Sequence, residues 1–312
     1  MGARELDFLY DNAKTIKFDD DSKLVFISDV HRGDGSYADS LLPNKNIYIT
    51  ALKYYLKNKY IYIEVGDGDE LWKNRNCKEI AYFYEDIFKV LNKYKDNSEI
   101  YLLYGNHDYY KKNPKFKIRE ISVLNKFGEN YGQEFIELLD RIEFYPGINC
   151  LYTPLNEKFL VTHGHQLDLI NNELLFISRF LVRYIWKFMN GVAGFKDNNG
   201  SARVRKKRSR IDNKLQAWAR DNSKMIICGH THNSRFPNYY EPPYFNDGCC
   251  TMPYGMTSIE IENGEISLVK WSIDVKDSGV LYVRRKIIEG PAKISQYLLW
   301  AQAERNKSKE NI

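Results

Sequence analysis

The sequence has little that would place the chain in a membrane, a secretion route or a disulfide scaffold. No uninterrupted apolar run is long enough to span a bilayer. The opening stretch, MGARELDFLYDNAK, is acidic and has no apolar core of the signal-peptide kind, so no secretion signal is expected. Position 6 is Leu6 rather than Ser or Thr, so the Met-Gly start does not make a myristoylation motif. Cysteines number only five and none forms C-x-x-C. An odd count in a chain this long argues against a disulfide framework; reduced, buried thiols in a cytoplasmic protein are expected. Cys249-Cys250 lacks a second Cys or His pair at zinc-site spacing and reads as a small apolar pair in a strand. Internal repeats and low-complexity segments are also absent, and the polar stretch after Gln302 reads as a frayed tail.

What is present is ordinary for a globular protein: 43% hydrophobic residues, 28% charged residues and a net charge of +5 over 312 residues. That charge is a mild bias towards anionic partners. Short, continuous apolar runs at 24–27, 61–65, 100–104, 159–162 and 225–228 predict strands covered on both faces. Helical spacing at 47–57 and 79–94 alternates with the early strands and implies βαβ units. In the last third, runs at 257–262 and 265–273 flank Asn263-Gly264, a type I′ hairpin signal, and 280–287 adds a further strand. A parallel-rich region followed by an antiparallel one, packed as layers, is the expected α/β architecture.

Histidine is scarce, and its placement is the strongest signal. The six histidines are His31, His107, His163, His165, His230 and His232, and each follows one of the predicted buried strands. Ligands of open α/β sheets bind at the carboxyl ends of strands. Asp29, Asp67, Asn106 and Asp108 lie at the same ends. Imidazole with carboxylate and amide oxygen, and no thiolate, suits Mn, Fe, Zn or Ni. In Asp29-x-His31 and His230-Thr-His232, alternate side chains of an extended segment point the same way, so each pair can reach one cluster. Seven donors are too many for one tetrahedral site and suit two metals sharing a carboxylate.

The ordered set D-x-H, G-D-x-x-E, G-N-H-D, H-G-H and G-H-T-H resembles the calcineurin-like metallophosphoesterase superfamily over roughly residues 22–275. The resemblance implies a four-layer α/β/β/α sandwich, a single domain over 1–312, with helices outside two sheets. It implies one divalent metal on Asp29, His31 and His232, a second on Asn106, His163 and His230, and Asp67 bridging them. Mn²⁺ is the expected metal, with Fe, Zn or Ni as alternatives. The metals, about 3.5–4 Å apart, would activate a water that attacks phosphorus in line. His107 would contact the phosphoryl oxygens and protonate the leaving oxygen, and Glu70 would orient it and favour its acid form. Asp69 is left as a solvent-facing turn residue, and His165 as either a support for a ligand or a bystander.

Within the superfamily, GDGDELW is similar to a block of the UDP-2,3-diacylglucosamine pyrophosphohydrolase group, whose members carry a helical insertion as a lid. Here the insertion spans 167–222. Its first helix, 173–189, is apolar with a stripe at Arg179, Arg183 and Lys187, and RVRKKRSR follows at 203–210. Arg179, Arg183, Arg203 and Arg205 are the candidate substrate contacts. A lid helix with a basic stripe would also suit peripheral membrane contact. His107 stands where that group often has Arg, and His165 where it often has Asp; both lean towards phosphomonoesterases and serine/threonine protein phosphatases. The substrate expected is an anionic phosphodiester or pyrophosphate, such as a lipid-linked nucleotide. A nuclease or nucleic-acid binder using the 203–210 run is the reading from another class, and no aromatic platform accompanies that run.

Overall fold

The structure, a computed structural model, describes residues 2–128, 130–168 and 201–310, with the backbone alone at 201–205 and 308–310. In chain order its main elements are α1 (Gly2–Asn12), β1 (Lys14–Phe18), β2 (Leu24–Ile27), α2 (Lys45–Lys57), β3 (Ile61–Val65), α3 (Lys78–Phe83) and α4 (Glu85–Asn97). They continue with β4 (Ile100–Leu103), α5 (Phe116–Leu124), α6 (Gln133–Arg141), β5 (Phe144–Tyr145), β6 (Gly147–Tyr152) and β7 (Glu157–Thr162). After the undescribed stretch come α7 (Ser201–Asp221), β8 (Ile226–Cys228), β9 (Tyr244–Asn246), β10 (Gly255–Glu262), β11 (Glu265–Val275), β12 (Leu281–Lys293) and α8 (Ile294–Glu310).

These strands make two sheets, ordered β12-β11-β10-β2-β3-β4-β5 and β1-β6-β7-β8-β9. Three apolar cores separate the layers. One lies between the seven-stranded sheet and α2, α4 and α6, a second between the two sheets, and a third between the five-stranded sheet and α1 and α7. Strand periodicity explains how one short run serves two cores: Val25 and Ile27 of β2 face the helices, while Leu24 and Phe26 face the other sheet. This is the expected helix/sheet/sheet/helix sandwich. Among the described residues no helix is long and apolar enough to cross a membrane.

The parallel core β2-β3-β4 and the antiparallel β10-β11-β12 lie where the sequence places them. Asn263 (φ 54°) and Gly264 (φ 69°) both take the left-handed conformation that a type I′ turn requires. Three features differ from expectation. The helix over 79–94 breaks at Tyr84, whose buried hydroxyl donates to Asp39 Oδ2 at 2.7 Å. The tail beyond Gln302 stays helical to Glu310, because Arg305 donates to Glu157 at 2.6 Å and to the Ser223 carbonyl at 2.8 Å. The strands at 159–162 and 225–228 belong to the second sheet, parallel to each other.

Of the insertion at 167–222, the helix expected at 173–189 lies outside the described residues, with Arg179 and Arg183. The basic run falls on α7, and Arg203 and Arg205 sit where only the backbone is described. Further along α7, Ile211, Leu215 and Trp218 belong to the third core, so this part of the span is a layer of the sandwich. A Cβ on Gly264 would be strained by its φ and would approach Asp20 Oδ1 to 2.2 Å. Gly264→Ala is therefore expected to cost about 1–2 kcal/mol in chemical denaturation, with metal binding unchanged.

Candidate metal centre

The carboxyl ends of β2, β3 and β4 in one sheet meet those of β7 and β8 in the other. Parallel pairing continues past the strand ends. Asp29 N–H donates to the Gly66 carbonyl at 3.1 Å, His31 N–H to Asp67 at 2.9 Å and Arg32 N–H to Gly68 at 3.0 Å. The backbone then turns sharply at five of the seven expected ligand positions. Ten described non-glycine residues have positive φ, and Asp29, His31, Asp67, His230 and His232 are five of them. Such conformations cost energy and persist where surroundings hold them, commonly at functional sites.

Three groups of donor atoms result, each within 4.8 Å. Asp29, His31 and His232 form one, Asp67, His163 and His230 the second, and His31, Glu70 and His107 a third that shares His31 with the first. His232 Nε2 is 2.9 Å from Asp29 Oδ1, and His31 Nε2 is 3.6 Å from the same oxygen. In the second cluster His163 Nε2 lies 3.1 Å from Asp67 Oδ2 and 3.2 Å from Asn106 Oδ1. Asp67 Oδ2 is also 3.9 Å from His31 Nε2, so one oxygen stands between the two groups. Its partner Oδ1 is occupied, accepting the His107 backbone N–H at 2.8 Å.

Supporting contacts select which atoms face inward. His163 Nδ1 is 2.9 Å from the Val65 carbonyl, which can only accept, so Nδ1 carries a proton and Nε2 is turned towards Asp67 and Asn106. Asp29 Oδ2 accepts from Ser28 Oγ at 2.5 Å and from His230 N–H at 2.8 Å. Ser28 Oγ also lies 2.6 Å from Asp247 Oδ1. A hydroxyl has one proton to give to two carboxyls. Burial, with Asp29 nearby, pushes the Asp247 carboxyl well above its usual range. By contrast, Asp29 Oδ1 and both ring nitrogens of His31 are buried with no hydrogen-bond partner, although neighbours stand close. Asp29 Oδ1 and His31 Nε2, facing each other at 3.6 Å without hydrogen-bond alignment, fit a cation between them.

The electrostatics agree. Burial raises the Asp67 carboxyl, but His163 and His107 outweigh it and hold it well below the carboxylate range. Burial lowers His163, but Asp67 and Asp29 outweigh it and lift it to about 9. Carboxylates that draw protons onto neighbouring imidazoles would draw divalent cations in their place, with release of those protons.

A family profile described as calcineurin-like phosphoesterase matches residues 22–234. The chain belongs to that family. A comparison with curated proteins finds no match. As a calcineurin-like phosphoesterase the protein is a metal-binding hydrolase acting on phosphoester bonds, and the family typically holds two divalent metal ions.

The fold thus brings together all seven sequence-predicted ligands of this phosphoesterase, with Glu70 and His107 beside them. Glu70 Oε1 is 2.9 Å from His107 Nδ1, and Oε2 is 3.3 Å from His31 Nδ1, so one carboxylate spans both rings. The Trp72 indole stacks on His107 with centroids 4.0 Å apart and donates to the Asn106 carbonyl at 2.7 Å. His165 is buried against His163, with ring centroids 5.6 Å apart, and is not among the clustered donors.

Asp69 corrects the sequence reading. It is buried, not solvent-facing, and is paired with Arg32 at 2.7 Å and Lys111 at 2.8 Å. Burial raises its carboxyl, but these two cations outweigh it and hold it at about 2. A cavity of about 350 Å³ opens over the centre, and Lys73, Lys207 and Arg208 are in its wall. Lys207 Nζ lies 2.7 Å from Asp168 Oδ2, itself 3.4 Å from His230 Nε2. Lys207 and Arg208 belong to the basic run flagged in the sequence, but helical phase relative to the site decides which of its cations enter the cavity. That phase is fixed by Asp212, which accepts from Thr231 Oγ1 at 2.8 Å, between His230 and His232.

Proposed function

We propose that this phosphoesterase hydrolyses a phosphodiester or pyrophosphate bond in an anionic substrate, using two divalent metal ions, with Mn²⁺ as the expected metal. The observation that carries the reading is the pair of donor clusters around Asp29 and Asp67, with Asp67 Oδ2 between His163 and His31, beneath a cavity with a cationic wall. Asp29, His31 and His232 would hold one ion, Asn106, His163 and His230 the other, and Asp67 would bridge them. Bound cations supply charge that activates water and stabilises a phosphoryl group.

The chain's own residues do the rest. His107 stands over the centre with Nδ1 engaged by Glu70, which leaves Nε2 for the substrate. From there it protonates the leaving oxygen as charge grows on it. Stacking on Trp72 keeps the ring in that orientation. Water is the nucleophile, and no phospho-enzyme forms. Lys73, Lys207 and Arg208 receive negative charge on the substrate away from the scissile bond. Arg179, Arg183, Arg203 and Arg205, the substrate contacts expected from the sequence, would act beside them. A nucleotide-linked substrate of the UDP-2,3-diacylglucosamine type fits this layout, since it offers a pyrophosphate with charge on both sides. His107 in place of Arg favours the second reading, a phosphomonoesterase or protein phosphatase, because a general acid matters most for a poor leaving group.

A substrate panel with added Mn²⁺, comparing monoesters, diesters, nucleotide pyrophosphates and UDP-linked lipids, separates these readings. Fastest turnover of a nucleotide pyrophosphate is expected, and preference for simple monoesters would favour the second. His107→Ala should keep its metal content but lose about 10²–10⁴-fold in turnover of a poor-leaving-group substrate. Undiminished turnover there would remove the general-acid role. Combined Lys207→Ala and Arg208→Ala should raise KM for a nucleotide pyrophosphate by about tenfold, the worth of about 1.4 kcal/mol. An equal rise on a small chromogenic diester would show that these cations do not read the distal charge.

A further inference from the structure

Behind the ligand loops lies a buried ionic chain that the hydrolytic chemistry does not use. Arg32 is 1% exposed. Its guanidinium donates to Glu64 at 2.7 and 2.8 Å, and its Nε to Asp69 Oδ1 at 2.7 Å. The other Asp69 oxygen meets Lys111 Nζ at 2.8 Å. Lys111 also donates to Asp108 Oδ2 at 2.6 Å. Asp108 in turn accepts the Gly105 N–H at 2.7 Å and the Gly68 N–H at 3.1 Å.

The chain's path is informative. Arg32 directly follows His31, and Asp69 lies between Asp67 and Glu70. Asp108 and Lys111 follow Asn106 and His107 in the loop after β4. The Arg32–Asp69 pair therefore joins the loop after β2 to the loop after β3, and the Asp69–Lys111 pair joins that loop to the one after β4. Gly68 fits the same reading. A Cβ there would come within 1.9 Å of Glu64 Oε1 and 2.5 Å of Arg32 Nη2, so the ionic chain fills the space a side chain would need.

Burying ions is costly, and an apolar replacement of similar volume often stabilises a fold as well or better. What ion pairs supply, and apolar packing does not, is fixed direction and spacing. Metal donors need that, because second-layer partners commonly set ligand geometry.

We propose that Arg32, Asp69 and Lys111 are positioning residues of the metal centre, an ionic strap that holds three ligand-bearing loops at the spacing a dinuclear site requires. This rests on the two-metal reading above. The test is calorimetric titration of Mn²⁺ into the full-length, chelator-stripped protein and its variants, with thermal unfolding recorded alongside. Asp69→Asn keeps shape and removes charge; it should weaken Mn²⁺ binding by about 10–100-fold. Lys111→Met should do the same, and the double variant should be little worse than either single change, as for residues acting as a unit. If Asp69→Asn fails to fold, Lys111→Met carries the test. Glu260→Gln is the control. It breaks the part-buried pair between Glu260 on β10 and Arg285 on β12, strands that bear no expected ligand, and should lower the unfolding temperature without altering Mn²⁺ affinity. A lowered unfolding temperature with wild-type affinity in the strap variants would overturn the proposal. Wild-type protein that takes up no Mn²⁺ would instead remove the two-metal reading itself, a separate and recognisable failure.

Discussion

One carboxylate oxygen, Asp67 Oδ2, is the point on which the site depends. It sits 3.1 Å from a ring that comes from the five-stranded sheet and 3.9 Å from a ring that comes from the seven-stranded one. Neither sheet alone could build this arrangement. The sandwich must align the carboxyl ends of both sheets, and the loops must then turn through left-handed backbone to aim their donors at a common point. The acids gathered there would repel one another in an apolar interior unless cations offset them. Histidine, arginine and lysine do part of that work from within the chain, and two divalent ions are the natural complement.

The three acids of GDGDELW divide accordingly. Asp67 faces the donor clusters. Glu70 spans His31 and His107, so it couples the orientation of a proposed ligand to that of the proposed general acid. Asp69 turns away from the centre and into the protein, where Arg32 and Lys111 hold it charged. In the proposed centre, a single short segment would thus supply a ligand, an orienting group and an anchor. Its Gly68 leaves room for the Glu64 and Arg32 groups that pass beneath it.

Much of this was legible in the sequence because the signals are local. Runs such as 24–27 and 61–65 match β2 and β3, since a strand buried on both faces is apolar throughout. The histidines marked the site because each lies within a few residues of a strand end. What was not legible depends on distant partners. Asp69 reads as a turn residue until Arg32 and Lys111 are placed around it, 37 and 42 positions away. The division into two sheets was implied by family resemblance rather than by the strands, since apolar runs look alike in either sheet. Which cations of the basic run reach the cavity depends on the Asp212–Thr231 contact, which sequence spacing does not encode.

The central claim is that these donors hold two metal ions. The most direct measurement is the metal content of the full-length protein, purified without chelator and without added metal, determined by mass spectrometry against protein concentration. The account predicts about two divalent ions per chain. A content substantially below one per chain, not restored by incubation with Mn²⁺, would contradict it.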